Sequence, residues 1–380
     1  MMNKNYNSEK IKIIFWAGVD WLHLKQSQQY LAENFAKLGH ECIYIQPIIN
    51  RKIKFRDIST IIQRVINIAK RKNKDKNSLQ VITPIVFSSS TFSGKILNKI
   101  LIPLFTYRIS RKFSEETIHY VWWPTADVDF LLNKVNATNI VYNLVDFHHS
   151  SLTVGASLVQ SEDNIAKKSS TIICTSKELV KHAKKWNDKP IFQRTRGLDT
   201  SIYKIAEQSN MTNRIRTLGY YGGLSKRIDF YLIQKLAEEG YEFHLAGPLN
   251  KVKIPLHRNI KYFGILDPTD IPNFMENIDC TLWPYLKNEY TDAILPAKTR
   301  ECLSFGKPVF STNLNAIVEE KISGIFAYSD LYDLIDQLVN FDANKYEILY
   351  MSEIRDYVRT GTWINIAQDE LINVLKIPHL

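Results

Sequence analysis

The sequence predicts an α/β protein made of two units, each built around a parallel sheet. Short apolar segments that suit strands alternate with amphipathic segments that suit helices along the whole chain. A length of 380 residues with 45% hydrophobic residues is enough for two cores of ordinary size. A polar stretch without periodicity, residues 199–213, separates two runs of this alternation. We therefore expect two domains that join near residue 205.

The first unit opens with a strand, a helix and a second strand. Residues 11–17 are an apolar run, residues 26–38 have helical spacing that Gly39 ends, and residues 41–47 are the next apolar run. Such an opening implies a parallel sheet with a right-handed crossover. Further strands are expected at residues 80–87, 119–123, 139–144, 171–175 and 190–193, with a helix over 177–186.

The second unit repeats the pattern after residue 213. Strands are expected at residues 216–223, 241–247, 259–264, 279–285, 308–312 and 324–328. Helices are expected at residues 229–239, 270–277, 297–305 and 330–338. The tail, residues 362–376, predicts a terminal amphipathic helix, because apolar residues starting at Trp363 recur on one side of it.

Cysteine usage and hydropathy exclude several classes of protein. The four cysteines lie far apart and show neither paired nor Cys/His spacing, so we expect no disulfide framework and no zinc site. A reducing, cytosolic setting fits this pattern. The apolar run from Ile13 to Val19 is too short for a signal peptide or a membrane span. We expect no segment that crosses a bilayer.

The positive charge is concentrated in two segments. The formal net charge is +10, yet residues 51–76 carry ten Lys/Arg against two Asp, and residues 91–113 carry five Lys/Arg and no acid. Apolar residues recur among these bases at near-helical spacing. Basic amphipathic helices suit an anionic membrane surface, although an ordinary solvated helix face over a core gives the same pattern. Aromatic interleaving and a named nucleic-acid motif are missing, so we expect no nucleic-acid partner.

One carboxylate stands inside an otherwise apolar helix. Glu301 follows a polar loop at the carboxyl end of a predicted strand, and the turn Gly306-Lys307-Pro308 follows its helix. Carboxylates are rarely buried without a partner or a ligand. In an open α/β sheet, this is the place where the ribose of a nucleotide is held.

The motifs GYYGGLSKRIDFYLI, NIKYFGIL and PAKTRE, with the Gly-Lys-Pro turn after them, resemble those of GT-B glycosyltransferases. The similarity is to family 4 and to the related teichuronic-acid and xanthan-type envelope enzymes. It implies two Rossmann-like domains with a cleft between them and a carboxyl-terminal helix that crosses back to the first domain. Residues 1–205 would bind the acceptor and include the basic insert 51–113, residues 206–350 would bind the donor, and residues 351–380 would pack on the first domain.

The resemblance implies a diphosphate site in the glycine loop of the second unit. Gly222 and Gly223 would let the backbone approach the diphosphate, and Lys226 or Arg227 would neutralise it. Glycines at this place also suit a tight turn between strand and helix without any ligand.

The resemblance further implies that Phe263, Gly264 and Ile265 hold the nucleobase through backbone contacts. In the Pro-x-Lys-x-x-Glu pattern, Lys298 would face a phosphate and Glu301 would accept hydrogen bonds from both ribose hydroxyls. A salt bridge between Lys298 and Glu301, three residues apart on one helix, is the structural alternative.

The chain departs from the family 4 pattern at one position. That pattern pairs two glutamates eight residues apart, but Ala293 stands at the first position here. The first glutamate contacts the sugar in retaining members. Either Glu289 or Asp292 would have to replace it, so the stereochemical outcome and the donor sugar stay open.

A candidate general base lies in the first unit. Residues IVYNLVDFHHSS end an apolar strand in Asp146, and His148 and His149 follow. An inverting enzyme needs a base to take the proton of the acceptor hydroxyl, and a carboxylate or His at the end of a strand has that chemistry. We take Asp146 and His149 as catalytic candidates. Alternatively, Asp146 caps the next helix or forms a structural ion pair.

The loop after the first strand reaches the same edge of the sheet. It carries Asp20, a third catalytic candidate, together with Trp21 and His23. Trp21 could stack on a sugar or lipid carrier, or it could be a buried core aromatic.

Asp127 and Asp129 are the nearest approach to a metal-binding Asp-x-Asp pair, but they open a helix in the first unit, where capping explains them. We therefore expect metal-independent transfer and no permanently bound cofactor. The co-substrate would be a nucleoside-diphosphate sugar, a UDP-sugar.

The sequence thus predicts a glycosyltransferase that acts at the inner face of the cytoplasmic membrane as a peripheral protein. Its acceptor would be a lipid-linked or growing cell-envelope polysaccharide. Two alternatives stay open: a non-catalytic nucleotide- or glycan-binding relic of the fold, and a nucleotide-sugar epimerase.

Overall fold

The computed structural model of the chain describes residues 10–47, 78–84, 92–148, 156–186 and 189–377. The chain divides into two compact units. The first comprises Met1–Cys174, His182–Phe192 and Trp363–Leu380, and the second comprises Thr175–Lys181 and Gln193–Thr362.

The strands alternate with helices in both units. The strands are β1 (Lys12–Trp16), β2 (Glu41–Ile45), β3 (Leu79–Ile82), β4 (Ile118–Val121), β5 (Asn139–Leu144), β6 (Thr171–Cys174), β7 (Ile191–Gln193), β8 (Thr217–Tyr221), β9 (Glu242–Ala246), β10 (Ile260–Tyr262), β11 (Cys280–Trp283), β12 (Val309–Thr312) and β13 (Ile325–Tyr328). The expected strands are present, and their ends agree closely with the predicted ones. The strand expected at 80–87 ends at Ile82, and residues 85–91 lie outside the described part.

The helices are α1 (Ser27–Lys37), α2 (Phe92–Ser110), α3 (Ala126–Lys134), α4 (Ala156–Lys168), α5 (Lys177–Ala183), α6 (Phe230–Glu238), α7 (Ile271–Glu276), α8 (Glu289–Asp292), α9 (Thr299–Ser304), α10 (Asn315–Glu320), α11 (Leu331–Val339), α12 (Ala343–Leu349), α13 (Arg355–Thr360) and α14 (Trp363–Asp369). A π turn at Glu370–Val374 continues α14. No helix within the described ranges is both long enough and apolar enough to span a bilayer.

The sheet of the first unit has the order β3-β2-β1-β4-β5-β6-β7. Parallel pairing joins β3 through β6. The strand order reverses at β1, which lies between β2 and β4. In open parallel sheets, ligands bind at the carboxyl ends of the strands beside such a reversal. The loops after β1 and β4 are therefore the expected ligand-facing loops of this unit.

The terminal helix α14 packs into the core of the first unit. The Trp363 ring stacks on the Tyr30 ring of α1 at a centroid distance of 5.3 Å. Ala367 and Leu371 belong to the same apolar cluster as the buried residues of β1. The carboxylate of Glu370 is buried and accepts a hydrogen bond of 3.0 Å from the Tyr120 hydroxyl. The tail thus belongs to the first unit, as the predicted fold class requires.

The sheet of the second unit has the order β10-β9-β8-β11-β12-β13, with parallel pairing throughout. Its order reverses at β8, which lies between β9 and β11. Apolar residues of both sheet faces form one core cluster with helices α6, α7 and α9 to α13. The loops after β8 and β11 are the expected ligand-facing loops here.

The second unit begins at Gln193, earlier than the residue 206 expected from the polar stretch. Backbone hydrogen bonds explain the difference, because Leu198 N–H donates to Gly361 O at 2.9 Å and Ala206 N–H donates to Ser304 O at 2.7 Å. The polar stretch is therefore tied to the second unit, which also keeps α13. Only the residues from Trp363 onward return to the first unit, rather than those from residue 351.

Candidate active site

Three glycines bring the backbones of neighbouring loops together at the carboxyl end of the second sheet. Gly222 follows β8 with φ of +133°, and its N–H donates to Ala246 O at 2.8 Å. Gly247 follows β9, and a Cβ on it would lie 2.0 Å from Gly222 O. The N–H of Gly247 donates to Gly264 O at 2.6 Å, in the loop after β10. A side chain at Gly247 would force the loops after β8 and β9 apart.

Lys298 occupies the space that the glycine leaves open. Its Nζ lies 3.9 Å from the ring centroid of Tyr220 and 4.6 Å from that of Tyr221. A Cβ on Gly222 would lie 2.5 Å from the same Nζ. Among the described residues, no carboxylate lies within ion-pair distance of Lys298, Glu301 included. The structural alternative of a Lys298–Glu301 salt bridge is therefore wrong.

Tyrosine hydroxyls hold the carboxylate of Glu301 instead. The Tyr221 hydroxyl donates to Glu301 Oε2 at 3.1 Å, and Tyr203 gives a second hydrogen bond. Burial raises the pKa of Glu301 to about 7, although these hydrogen bonds and the charge of Lys298 oppose the rise. Part of the Glu301 residue still reaches the surface. Ionisation of this carboxyl therefore costs free energy in the folded chain, which is typical of a group in a ligand-binding site.

A row of aromatic rings joins the predicted nucleobase loop to this cluster. Phe263 is 47% exposed and meets the Phe274 ring edge-on at 5.7 Å. Phe274 in turn meets the ring of Tyr221 at 6.2 Å. Ile265, which is 65% exposed, continues the loop beyond Gly264. The structure therefore places Lys298 beside Gly222 and joins Glu301 to them through Tyr221. The predicted nucleobase loop reaches the same cluster through Phe274.

Arg227 lies in the same loop as Gly222 and Gly223, and its side chain contacts Tyr290 of α8. Its guanidinium stacks over the ring of Tyr290 in α8 at 4.3 Å, and its carbonyl accepts from Leu286 N–H at 2.8 Å. These contacts join the loop after β8 to the loop after β11. Gly223 faces Asn250, since a Cβ on Gly223 would lie 3.2 Å from Asn250 Nδ2.

The position of the missing first glutamate is closed. Ala293 is buried, and its carbonyl accepts from the Ser176 hydroxyl at 2.7 Å. Asp292 accepts from Asn315 N–H at 3.0 Å and so is committed to α10. Glu289 is exposed in the first turn of α8. Of the two replacements that the sequence offers, Glu289 is the less engaged.

Buried glutamines shape the loop after β1 in the first unit. Gln28 accepts from Gly18 N–H at 2.7 Å, and Gln46 accepts from Trp21 N–H at 2.8 Å. Gln29 donates to the carbonyls of Asp20 and Trp21 at 3.3 and 3.2 Å. The sequence pattern predicts no role for these three glutamines, because nothing in their spacing distinguishes them from ordinary helix or strand residues.

Trp21 packs within the first unit. Its ring meets Tyr44 edge-on at 4.9 Å and lies against the core cluster. The structure therefore supports the interpretation of Trp21 as a core aromatic.

Asp146 lies in the bend that follows β5, and its carbonyl accepts from His148 N–H at 3.1 Å. The buried His148 ring meets the Trp123 ring edge-on at 5.0 Å, and a Cβ on Gly18 would lie 3.1 Å from Trp123 Cβ. The loops after β1, β4 and β5 therefore touch one another at one edge of the sheet. His149 lies outside the described residues.

The Asp-x-Asp pair has a structural role in part. Thr125 is the N-cap of α3, and Asp127 and Asp129 stand in its first turn. Lys168 lies 2.8 Å from an oxygen of Asp129. Within the described ranges, no group of three or more His, Cys, Asp and Glu side chains is placed to hold a metal ion. Metal-independent transfer stays a prediction.

Burial of Glu301 makes a prediction about stability and pH. The folded pKa of about 7 exceeds the ordinary value of 4.5, so ionisation of this carboxyl destabilises the fold as pH rises from about 5 to above 7. Glu301→Gln should therefore raise the free energy of unfolding at pH 8, by about 3 kcal/mol at most, and leave it nearly unchanged at pH 4.5. Urea unfolding at both pH values measures the difference. An equal effect at both would contradict the assignment.

No protein-family model matches the chain. Over 278 residues, 64% of the chain, it is 22% identical to TuaH of Bacillus subtilis (strain 168), covering 68% of that protein. TuaH carries a provisional assignment as a teichuronic acid biosynthesis glycosyltransferase.

Several solved structures share the fold across nearly the whole chain. Sucrose-phosphate synthase of Thermosynechococcus elongatus has a TM-score of 0.66 at 11% identity and covers 97% of this chain and 99% of its own. HepE of Anabaena, solved with UDP and glucose, has a TM-score of 0.60 at 14% identity, with coverages of 96% and 99%. The lipopolysaccharide outer core galactosyltransferase WaaB has a TM-score of 0.61 at 10% identity, with coverages of 97% and 99%. The solved structures confirm the GT-B fold. The similarity to TuaH bears out the resemblance to glycosyltransferases and the predicted class of enzyme.

Proposed function

We propose that the chain transfers a sugar from a nucleoside-diphosphate donor, held by the second unit, to an acceptor of the cell envelope. The observation that carries this proposal is the separation of Lys298 from Glu301. The ammonium is held at the glycine turn by ring faces, while the carboxylate is held by tyrosine hydroxyls. The ammonium of Lys298 is therefore available to an anionic group of a ligand, and the carboxylate of Glu301 is available to hydrogen-bond donors of a ligand.

The glycine turn and Lys298 suit a diphosphate. Gly222 and Gly223 follow the strand at which the sheet order reverses, where backbone can approach phosphate oxygens closely. Lys298 Nζ lies against the same turn and supplies a positive charge. During transfer, the bond between the anomeric carbon and the diphosphate oxygen breaks, and negative charge grows on that oxygen. Lys298 would stabilise this charge.

Glu301 and the nucleobase loop suit the nucleoside. An ionised Glu301 accepts hydrogen bonds from two hydroxyls of a ribose, which a protonated carboxyl does less well. Phe263, Gly264 and Ile265 would hold the base, with exposed apolar side chains and a backbone turn at their centre. UDP is the nucleotide that we propose, and the presence of UDP in the HepE structure supports this choice.

The acceptor would be activated by the first unit. Asp146, at the carboxyl end of β5, is the proposed general base, which takes the proton of the attacking acceptor hydroxyl. Asp20 and His149 stay secondary candidates, since both belong to loops that follow strands of the same sheet. The acceptor hydroxyl oxygen then bonds to the anomeric carbon as the nucleoside diphosphate leaves.

We also propose that the acceptor is a lipid-linked or growing envelope glycan at the inner membrane surface. On α2, four large apolar side chains, Ile96, Ile100, Leu104 and Tyr107, are each about half exposed or more. Lys99, Arg108 and Arg111 are exposed among them. Apolar and basic side chains on one exposed helix suit an anionic lipid surface. The basic segment 51–76 lies outside the described residues.

The relic and epimerase alternatives find no support in the comparisons, because TuaH and WaaB are named as transferases and the Thermosynechococcus elongatus protein as a synthase. The separation of Lys298 from Glu301 also favours an intact nucleotide site over a degenerate one.

The donor site predicts which nucleotide stabilises the protein and which variants lose the effect. Saturating UDP should raise the melting temperature, because it binds only the folded chain. Lys298→Met and Glu301→Ala should each weaken UDP binding by roughly tenfold or more. Lys253→Met, at an exposed lysine of the same unit, is the matched control and should bind UDP as the wild type does. No shift with UDP, GDP, ADP, CMP or dTDP would overturn the proposed site.

The role of Asp146 predicts a different pattern. Asp146→Asn should leave the dissociation constant of UDP unchanged and lower the turnover number by about 100-fold or more, because the amide cannot take a proton. Titration calorimetry with UDP and a radiolabelled transfer assay measure the two quantities. If Asp146→Asn weakened UDP binding as much as Glu301→Ala does, the division of roles would be wrong.

The membrane proposal predicts sedimentation with lipid vesicles. The protein should sediment with vesicles that contain phosphatidylglycerol, and less so in high salt, because screening weakens the basic contacts. Ile100→Ser together with Leu104→Ser should reduce the bound fraction. Equal binding to neutral vesicles, or none to anionic ones, would contradict the proposal.

A further inference from the structure

The residue between the two donor-site positions is a buried arginine with an unusual set of partners. Arg300 is 8% exposed. Its Nη1 donates to Thr195 Oγ1 at 2.5 Å and to Arg196 O at 2.6 Å. Its Nε donates to Tyr357 O at 3.2 Å, and the guanidinium lies 4.1 Å from the centroid of the Tyr357 ring. One side chain thus joins α9 to the segment after β7 and to α13.

All these partners are neutral acceptors. Among the described residues, no carboxylate lies within ion-pair distance of Arg300, and burial lowers its pKa. A buried charge without a countercharge is costly, and an apolar side chain would fill the same space at less cost. What the guanidinium supplies is a rigid plane whose donors point in fixed directions. Arg300 therefore orients backbone segments in addition to filling space.

Gly361 leaves room for that plane. A Cβ on Gly361 would lie 1.8 Å from Arg300 Nε and 2.3 Å from Cζ. The φ of Gly361 is −94°, which any residue adopts, so contact with Arg300 is what excludes a side chain here. The carbonyl of Gly361 also accepts from Leu198 N–H at 2.9 Å. Residues 195–198 and 357–361 are thus tied to one another and to Arg300.

The two segments that Arg300 contacts lie next to the boundaries of the second unit in the chain. Residues 195–198 follow the passage into the second unit at Gln193, and residues 357–361 precede the passage out of it at Thr362. Helix α9 has only six residues, begins after Lys298 and carries Glu301 in its first turn. A helix this short has little rigidity of its own, so outside contacts determine its position.

Resting on the proposed donor site, we propose that Arg300 is a positioning residue for nucleotide binding. It fixes α9 against residues 195–198 and 357–361, so that Lys298 stays beside Gly222 and Glu301 stays within reach of the Tyr221 hydroxyl. Successive residues of a helix point about 100° apart, so Arg300 can anchor α9 on one side while Glu301 faces the ligand on another. Nucleotide affinity thereby depends on two segments that provide no ligand-binding group themselves.

The test uses the full chain and UDP as probe. Arg300→Lys keeps the charge and loses the planar fork, and Gly361→Ala displaces the guanidinium without changing α9. Each should weaken UDP binding about tenfold in titration calorimetry well below the melting temperature. Arg359→Lys, at an exposed arginine of α13, is the matched control and should bind UDP as the wild type does.

A double-mutant cycle separates positioning from general damage. In Arg300→Ala, the atoms that a Cβ at residue 361 would strike are absent, so adding Gly361→Ala should cost no further affinity, a non-additivity of about fivefold or more. The pH at which UDP binding is half lost should also fall below about 7 in Arg300→Lys, because a loosened α9 exposes Glu301 to water. A purely structural role would lower the melting temperature and leave this pH unchanged.

The outcomes distinguish the two proposals. If the wild type binds no UDP or other nucleoside diphosphate, the proposed donor site is wrong, and this inference falls with it. If the wild type binds UDP but Arg300→Lys and Gly361→Ala bind it equally well, the donor site stands and the positioning role is wrong. Additive effects in the cycle also overturn it. If Arg300→Ala does not fold, Arg300→Lys, Gly361→Ala and the control decide the question.

Discussion

The close approach of backbone to backbone at the end of β8 constrains the carboxyl end of the second sheet, where we propose that the donor binds. Gly222 and Gly247 touch where a single Cβ on Gly247 would lie 2.0 Å from a carbonyl oxygen. This contact holds the loops after β8 and β9 together, and Gly264 extends it to the loop after β10. It also leaves the space beside Gly222 in which the ammonium of Lys298 lies. The packing of these loops and the location of a positive charge thus follow from missing side chains at two positions.

Tyrosines determine which groups contact Lys298, the residue before α9, and Glu301 within it. A lysine and a glutamate three residues apart on a helix ordinarily attract one another. Here Tyr220 and Tyr221 offer ring faces to Lys298, while the hydroxyl of Tyr221 is bonded to Glu301. Burial consequently disfavours the ionised form of the Glu301 carboxyl in the folded chain. Stability lost at this group is the expected consequence of a site that binds a polar ligand through it.

The sequence predicted the parts of this arrangement that depend on local pattern. Alternating apolar and amphipathic segments predicted both sheets, and the position of Glu301 behind a strand, with the motif resemblance, predicted its neighbourhood to Gly222 and Lys298. Gly247, Tyr221 and Arg300 were missed. Their importance comes from contacts between segments distant in sequence, such as Gly247 with Gly222 and Arg300 with Gly361, and no spacing rule records such contacts. The salt-bridge alternative was wrong because helix spacing alone does not include the competing rings.

A structure of the protein with UDP bound tests the central claim most directly. We expect the diphosphate beside Gly222 and Gly223, with Lys298 Nζ moved from the rings of Tyr220 and Tyr221 to within about 3 Å of a phosphate oxygen. Both ribose hydroxyls should donate hydrogen bonds to the carboxylate of Glu301. UDP bound elsewhere, or bound here with Lys298 still over the two rings and the ribose turned away from Glu301, would contradict the proposed donor site.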